Sequence, residues 1–354
     1  MSLINPKAPI LVTGASGYVA GWIVKKLLEA GHTVHATVRD PNKVSSVAHL
    51  QKIASASPGT LKLFKADLLD QGAFSVPMAG CELVIHTASP FVMTGFTDAN
   101  EALVRPALEG TRNVLEAVNA TESVRRVVLT SSVAATFGDS WDARDVPGSR
   151  LDETFWNTTS SVDHQPYLYS KTVAEQEAWA MQKAQHRWDL VCINPGLVVG
   201  PALTTNSISA SITTLQQFGD GTLAMGAPCM WNGLVDVRDV ADAHIIAGFK
   251  PEASGRYILC AESLTLLDMA AALRAHFGTK YPFPRMTVPK ILFWLVSPLF
   301  GYTRDFVWRN MGWPIHFNNE RSREGLGIQY RDVRQAVCEH FKHLIDDGLV
   351  KRRS

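Results

Sequence analysis

The 354-residue sequence contains only five cysteines, Cys81, Cys192, Cys229, Cys260 and Cys338, and no two of them stand in CxxC spacing. This argues against a disulfide framework or a cysteine-built zinc site. It points to free thiols in a reducing compartment, and so to a cytoplasmic location. Excess charge is also lacking. The formal net charge is +1, which leaves no electrostatic footprint for nucleic acid. No apolar run approaches the roughly 20 residues that span a bilayer. The most apolar stretch, Ile291 to Phe300, contains Pro298 and is followed by Gly301, and is expected to be a buried helix. Met1 to Pro9 has no basic region leading into an apolar run, so no secretory signal is expected. Repeats, low-complexity tracts and metal-ligand clusters are absent. What remains is ordinary globular composition, 46% hydrophobic and 19% charged, with length enough for one large domain or two.

The first structured feature is a strand, turn and helix. Ala8 to Thr13 is a short apolar, β-branched run. Gly14-Ala15-Ser16-Gly17-Tyr18-Val19-Ala20 follows in GxxGxxA spacing. A helical pattern then places Val19, Ile23, Leu27 and Ala30 on one face, and Gly31 stands where a C-terminal cap belongs. Glycines placed this way let backbone turn tightly and approach a pyrophosphate at a helix N-terminus. Gly14, Ser16, Gly17, Tyr18 and Val19 are therefore candidate cofactor contacts. A second strand, His32 to Val38, ends in Val38-Arg39-Asp40-Pro41. Arg39, with Lys43 beyond it, suits a 2′-phosphate and favours NADP(H) over NAD. Asp40 is expected to cap a helix opening at Pro41.

Further strands are read at Leu61–Lys65, Glu82–His86, Arg126–Ser131 and Asp189–Ile193. Asp67 and Leu68, just past the third strand, are candidates for the adenine side. Thr87, Ala88 and Ser89 end the fourth strand with small residues that permit close approach to a ligand. His86 reads as structural. A long helix, Asp98 to Ala120, is expected to kink at Pro106 and to carry Asn113 near the site. Pro195, Gly196 and Val198 close the ligand-facing edge of the sixth strand. The alternation implies an α/β fold: a Rossmann-type, doubly wound parallel sheet over residues 1–200, with segments near 231–250 as candidates to return to it. Residues 201–354 read as a smaller, mostly helical substrate lobe, with helices around 206–218, 265–277, 286–312 and 331–347. Short strands fall near 232–236 and 256–260. Trp231, Trp294, Trp308 and Trp313 are expected in the core of that lobe.

The chemistry-bearing stretch is Tyr167-Leu168-Tyr169-Ser170-Lys171, on a helix expected to run to about Arg187. A Tyr and a Lys four apart share one helix face. A cation beside a phenol lowers the phenol's pKa from about 10, which suits a proton donor in carbonyl reduction. Tyr169 points to another face.

Taken with the glycine turn, Leu129-Thr130-Ser131-Ser132, Gly110-Thr111-Arg112-Asn113 and Asn194-Pro195-Gly196, this stretch makes nearly the whole chain resemble the extended short-chain dehydrogenase/reductases. Within them it is most similar to the dihydroflavonol 4-reductase and cinnamoyl-CoA reductase-like carbonyl reductases. The resemblance implies that Ser132 polarises the carbonyl and Tyr167 supplies the proton. It implies that Lys171 binds the nicotinamide ribose and lowers the Tyr167 pKa. Asn113, placed to hold a water or a backbone group near the site, is counted with the same catalytic residues. The small-molecule carbonyl substrate is expected to lie against Phe91, Val92, Phe137 and Pro228, in a monomer or homodimer.

Two departures bear on that substrate. Phe137 stands where dihydroflavonol reductases usually carry an Asn, which argues against a polyhydroxylated flavanonol. His164-Gln165-Pro166-Tyr167 replaces the Asn-Trp-containing run of cinnamoyl-CoA reductases, which argues against a CoA thioester. The glycine turn is nearer to microbial aldehyde and ketone reductases. Rival readings are a hydroxysteroid dehydrogenase, a nucleotide-sugar epimerase or dehydratase, and a non-enzymatic NADP sensor.

Overall fold

The structure, a computed structural model, describes residues 4–89, 97–205 and 209–350. The first half alternates strand and helix: β1 (Ile10–Thr13), α1 (Tyr18–Glu29), β2 (Thr33–Val38), α2 (Val44–Ser55), β3 (Thr60–Lys65), α3 (Ser75–Met78), β4 (Leu83–His86), α4 (Arg105–Ala120) and β5 (Arg126–Thr130). A short β6 (Arg150–Leu151) precedes α5 (Pro166–Lys183), β7 (Asp189–Pro195) and β8 (Leu197–Val199). The rest comprises α6 (Ala210–Gly219), β9 (Trp231–Asp236), α7 (Val237–Phe249), β10 (Gly255–Leu259), β11 (Glu262–Thr265), α8 (Leu266–Phe277), α9 (Lys290–Val296), α10 (Arg304–Asn310), β12 (His316–Phe317), α11 (Glu320–Leu326) and α12 (Val333–Asp346).

Seven strands form one sheet in the order β10-β7-β5-β4-β1-β2-β3, with every pairing parallel. A parallel sheet must be covered on both faces, and the central strands β1 and β4 are accordingly buried throughout. Ile23, Leu27, Val240 and Ala247, from α1 and α7, cover one face. Val114, Val118 and Ala178, from α4 and α5, cover the other. This is a Rossmann-type doubly wound sheet. Its last strand, β10, and the covering helix α7 both come from beyond residue 200. A second cluster, around Leu215, Phe218, Met269, Leu273 and Phe341 of α6, α8 and α12, packs on the small sheet β11-β9-β8.

Several expectations need correction. Asp40 does not cap a helix at Pro41. Its carboxylate accepts from the Asn42 N–H in a turn, and α2 opens at Val44 after Lys43, whose side chain has no acceptor to cap it. The long helix does not simply kink at Pro106. Proline has no N–H for the Ala102 carbonyl, and a π-helical turn, Asn100–Val104, absorbs the fault ahead of α4. The Ile291–Phe300 stretch is not buried: Ile291, Leu292, Leu295, Leu299 and Phe300 are exposed, and α9 buries none of its residues. Trp308 is likewise exposed, and Trp231, Trp294 and Trp313 are only half-buried. Among the described residues no helix is long and apolar enough to cross a membrane.

Candidate active site

β1 and β4 are neighbours in the sheet, but the chain leaves them toward opposite edges. A crevice opens at their C-terminal ends, where such folds bind ligands. Gly14 follows β1 with φ of +66°, and a Cβ there would lie 2.9 Å from the Ala88 Cα. Glycine is thus required twice, for the left-handed turn and for the close approach. The Thr13 hydroxyl accepts from the N–H groups of Thr87 and Ala88 at 3.2 and 3.1 Å and meets His86 Nδ1 at 2.8 Å. With both lone pairs engaged, it must donate to Nδ1, which puts the His86 proton on Nε2. Burial, aided by the Lys171 charge, pushes the His86 pKa down to about 3, so the ring is neutral at physiological pH.

Gly17 occupies the cap position of α1, and its N–H bonds the Gly14 carbonyl. The N–H groups of Tyr18, Val19 and Ala20 in the first turn have no intrahelical carbonyl to meet. They fit a dinucleotide phosphate, as does the Gly14–Ala88 cradle. Tyr18 can serve only through its backbone. Its hydroxyl donates to the Gly200 carbonyl at 2.5 Å, and burial holds its pKa well above the usual value. Trp22 Nε1 donates to the Pro201 carbonyl, so α1 is tied to the end of β8 at two points.

Arg39, at the end of β2, and Lys43 are both exposed on the side where the adenosine end of a dinucleotide would lie. The Asp67 carboxylate accepts from the Leu69 N–H. The Asn113 amide donates to the Leu68 carbonyl at 2.7 Å, and Gly110 lets the Leu68 side chain pack on α4. Asn113 therefore holds the loop after β3, and this bond supports no catalytic role for it.

Pro166, with its preset φ, opens α5, and Tyr167 and Lys171 fall on one face of that helix. The Lys171 ammonium donates to Ser89 Oγ at 3.0 Å and lies 5.8 Å from the Tyr167 ring centroid. Burial pushes Tyr167 up to about 12 and Lys171 down to about 8. The Tyr167 shift is opposite to the expected one, because desolvation of the phenolate dominates and Lys171 is turned to Ser89. Ser132 follows β5. Its hydroxyl accepts from the Ala134 N–H at 3.1 Å and leans toward the Pro195 carbonyl at 3.4 Å. A small pocket lies among His86, Ser89, Thr130, Ser131, Lys171 and Glu175.

The sequence reading missed Glu175 and Arg256. Glu175 continues the Tyr167–Lys171 face by one more helical step, which was the available signal; its partner, 81 residues away, gave none. At the strand ends, Gly196 is needed for contact: a Cβ there would lie 2.2 Å from the Gly233 carbonyl oxygen of β9. Val198 pairs with Val235 in the small sheet. Phe137 packs on Phe317, ring centroids 5.8 Å apart, in a cluster with Val133 and Ile258, and Pro228 is buried. Phe91 and Val92 lie outside the described residues. Among the described residues no group of His, Cys, Asp and Glu could hold a metal ion.

The sheet order and the glycine cradle are those of a dinucleotide-binding fold. Residues 10–260 match the NAD dependent epimerase/dehydratase family, and the chain belongs to that family, the extended short-chain dehydrogenase/reductases. It is 42% identical to cinnamoyl-CoA reductase CAD2 of Medicago truncatula, over 97% of this chain and 98% of that protein. It is 38% identical to cinnamoyl-CoA reductase 1 of Petunia hybrida, over 96% and 92%. In structure it resembles Gre2 of Candida albicans in complex with NADPH, with TM-score 0.74 and 26% identity, covering 96% of this chain and 99% of that one. The chain is thus an NAD(P)-dependent reductase of the extended short-chain type.

Proposed function

We propose that the protein uses NADPH to reduce an aldehyde or ketone, on an apolar or aromatic molecule, to the alcohol. The observation that carries this reading is the α5 face. It presents the Tyr167 phenol and, one helical turn further on, a lysine whose ammonium donates to Ser89 Oγ at the switch-point crevice. The bound nicotinamide supplies the hydride. Ser132 and Tyr167 donate hydrogen bonds to the carbonyl oxygen as negative charge develops there. Tyr167 then passes its proton to that oxygen. Lys171, charged below about pH 8, stabilises the phenolate left behind. Arg39 and Lys43 offer two cations to a 2′-phosphate, which supports NADPH over NADH.

Full-length likeness to cinnamoyl-CoA reductases favours a second reading, in which an aromatic propenoyl thioester is the substrate and the aldehyde and free thiol are products. The experiment follows NADPH and NADH oxidation against aromatic aldehydes, ketones and cinnamoyl-CoA. Tyr167→Phe is expected to lower kcat about 10²–10⁴-fold on any substrate turned over, and an active variant overturns the mechanism. Arg39→Ala should raise KM for NADPH and leave that for NADH unchanged. Preferential turnover of the thioester decides for the second reading.

A further inference from the structure

Tyr167, Lys171 and Glu175 lie at i, i+4 and i+8 of α5, so the face that carries the proton donor ends in a carboxylate. That carboxylate is 1% exposed. It accepts from Arg256 Nε at 2.6 Å, Ser131 Oγ at 2.5 Å, Asn194 Nδ2 at 2.8 Å and Trp179 Nε1 at 3.2 Å. Arg256 comes from β10, the last strand of the sheet, and is also buried. Its other N–H groups reach the carbonyls of Glu153 and Phe155, and its guanidinium lies 4.0 Å from the Trp156 ring centroid.

A buried ion pair is weak evidence for stability, since well-packed apolar residues often do as well. What apolar residues could not reproduce is the connection this pair makes. Asn194, at the end of β7, uses the second hydrogen of the same amide nitrogen on the Ser132 carbonyl, at 3.1 Å. Its orientation is fixed, because both neighbours are acceptors and a flipped amide would set oxygen against oxygen. Asn194 Oδ1 is buried and meets no protein donor, so nothing on the oxygen side competes for this orientation. One hydrogen-bonded path thus runs from β10 through α5 and β7 to the Ser132 peptide.

We propose that Glu175 and Arg256 are positioning residues that act through Asn194, fixing the Ser132 peptide in register with the Tyr167–Lys171 face of α5. This rests on the reading that Ser132 polarises the carbonyl. A misplacement of about 1 Å costs on the order of 10²-fold in rate, so the brace acts on turnover and not on cofactor affinity.

The test is a double-mutant cycle. Asn194→Ala cuts the path but leaves the Glu175–Arg256 pair intact, so it should fold even where Glu175→Gln does not. Both variants are made alone and with Ser132→Ala, and kcat, the Kd for NADPH and Tm are measured. Asn194→Ala alone should lose about tenfold or more in kcat, with the NADPH Kd within about twofold of wild type. With Ser132→Ala already present, either change should cost less than about threefold further, because the group being positioned is gone. Additive losses, or a folded Asn194→Ala enzyme with wild-type kcat, overturn the proposal. A Ser132→Ala enzyme that itself keeps full activity instead overturns the reading of Ser132.

Discussion

At Tyr167 and Lys171 the same physical cause acts with opposite sign. Burial disfavours the charged form of each, raising the acid to about 12 and lowering the cationic acid to about 8. The spacing of the pair is legible in a sequence, because four residues on a helix share a face. The direction of the shifts is not, because it depends on how much water the fold removes. Asn113 teaches the same lesson, since its partner is a backbone carbonyl that no motif specifies. The pH dependence of reduction follows. Lys171 is the group that titrates first: its active, protonated form falls to half at about pH 8 and is lost above it, while Tyr167 still holds its proton. The profile of kcat/KM should therefore be level near about pH 6 and fall through a midpoint at about pH 8 with a slope of one proton. Lys171→Arg keeps its charge beyond pH 12 and should carry that limb upward, whatever it does to the maximum. A limb that stays put in the variant would assign it to another group.

At the scale of elements, local signals proved sufficient for β1, the glycine turn and α1, where strand, turn and helix are contiguous. They were sufficient too to place the first six strands of the main sheet along the chain. They failed where a long-range partner decides. β10 joins the main sheet because β7 leaves it an open edge, and nothing within residues 255–259 announces that. Gly196 belongs to the same junction. Its motif reads as a cofactor contact, yet the close neighbour is the Gly233 carbonyl oxygen, 2.2 Å from a would-be Cβ. Backbone cannot step aside as a flexible side chain would. Gly196→Ala should destabilise by about 3 kcal/mol, at the upper end of overpacking costs, seen as a lower urea midpoint at unchanged slope. Gly31→Ala is the matched control. Its φ is +85° with nothing within 4 Å, so only the left-handed backbone penalty of about 1–2 kcal/mol applies. Equal costs at the two sites would show that the β8–β9 approach relaxes.

Across the whole molecule, three buried histidines tie separate elements together. His86 bridges β4 to β1, and His244 of α7 meets the Thr130 hydroxyl of β5. His340 of α12 lies against the Tyr18 ring of α1, centroids 5.4 Å apart, so it joins the C-terminal cluster to the glycine-turn helix. All three are buried. Desolvation lowers His86 and His340 to about 3 and His244 to about 4. His35, His49 and His316 are lowered too. In the unfolded chain such rings take up protons near pH 6.5, while in the folded state the buried three stay neutral to about 3–4. The unfolded state therefore binds more protons in this window, and stability is lost as pH falls through it. Glu153 and Asp239, raised by burial, act in the opposite sense, but nearer their own reference values of 4.5 and 3.8. Between pH 7 and 5.5 the histidines should dominate, at roughly 1 kcal/mol for each buried ring. His340 gives the decisive variant, because neither of its ring nitrogens meets a protein partner. His340→Phe keeps an aromatic ring against Tyr18 and removes both unpaired nitrogens. It should raise Tm at every pH and reduce the fall in Tm between pH 7 and 5.5. If the variant falls as steeply as wild type, the acid sensitivity lies elsewhere.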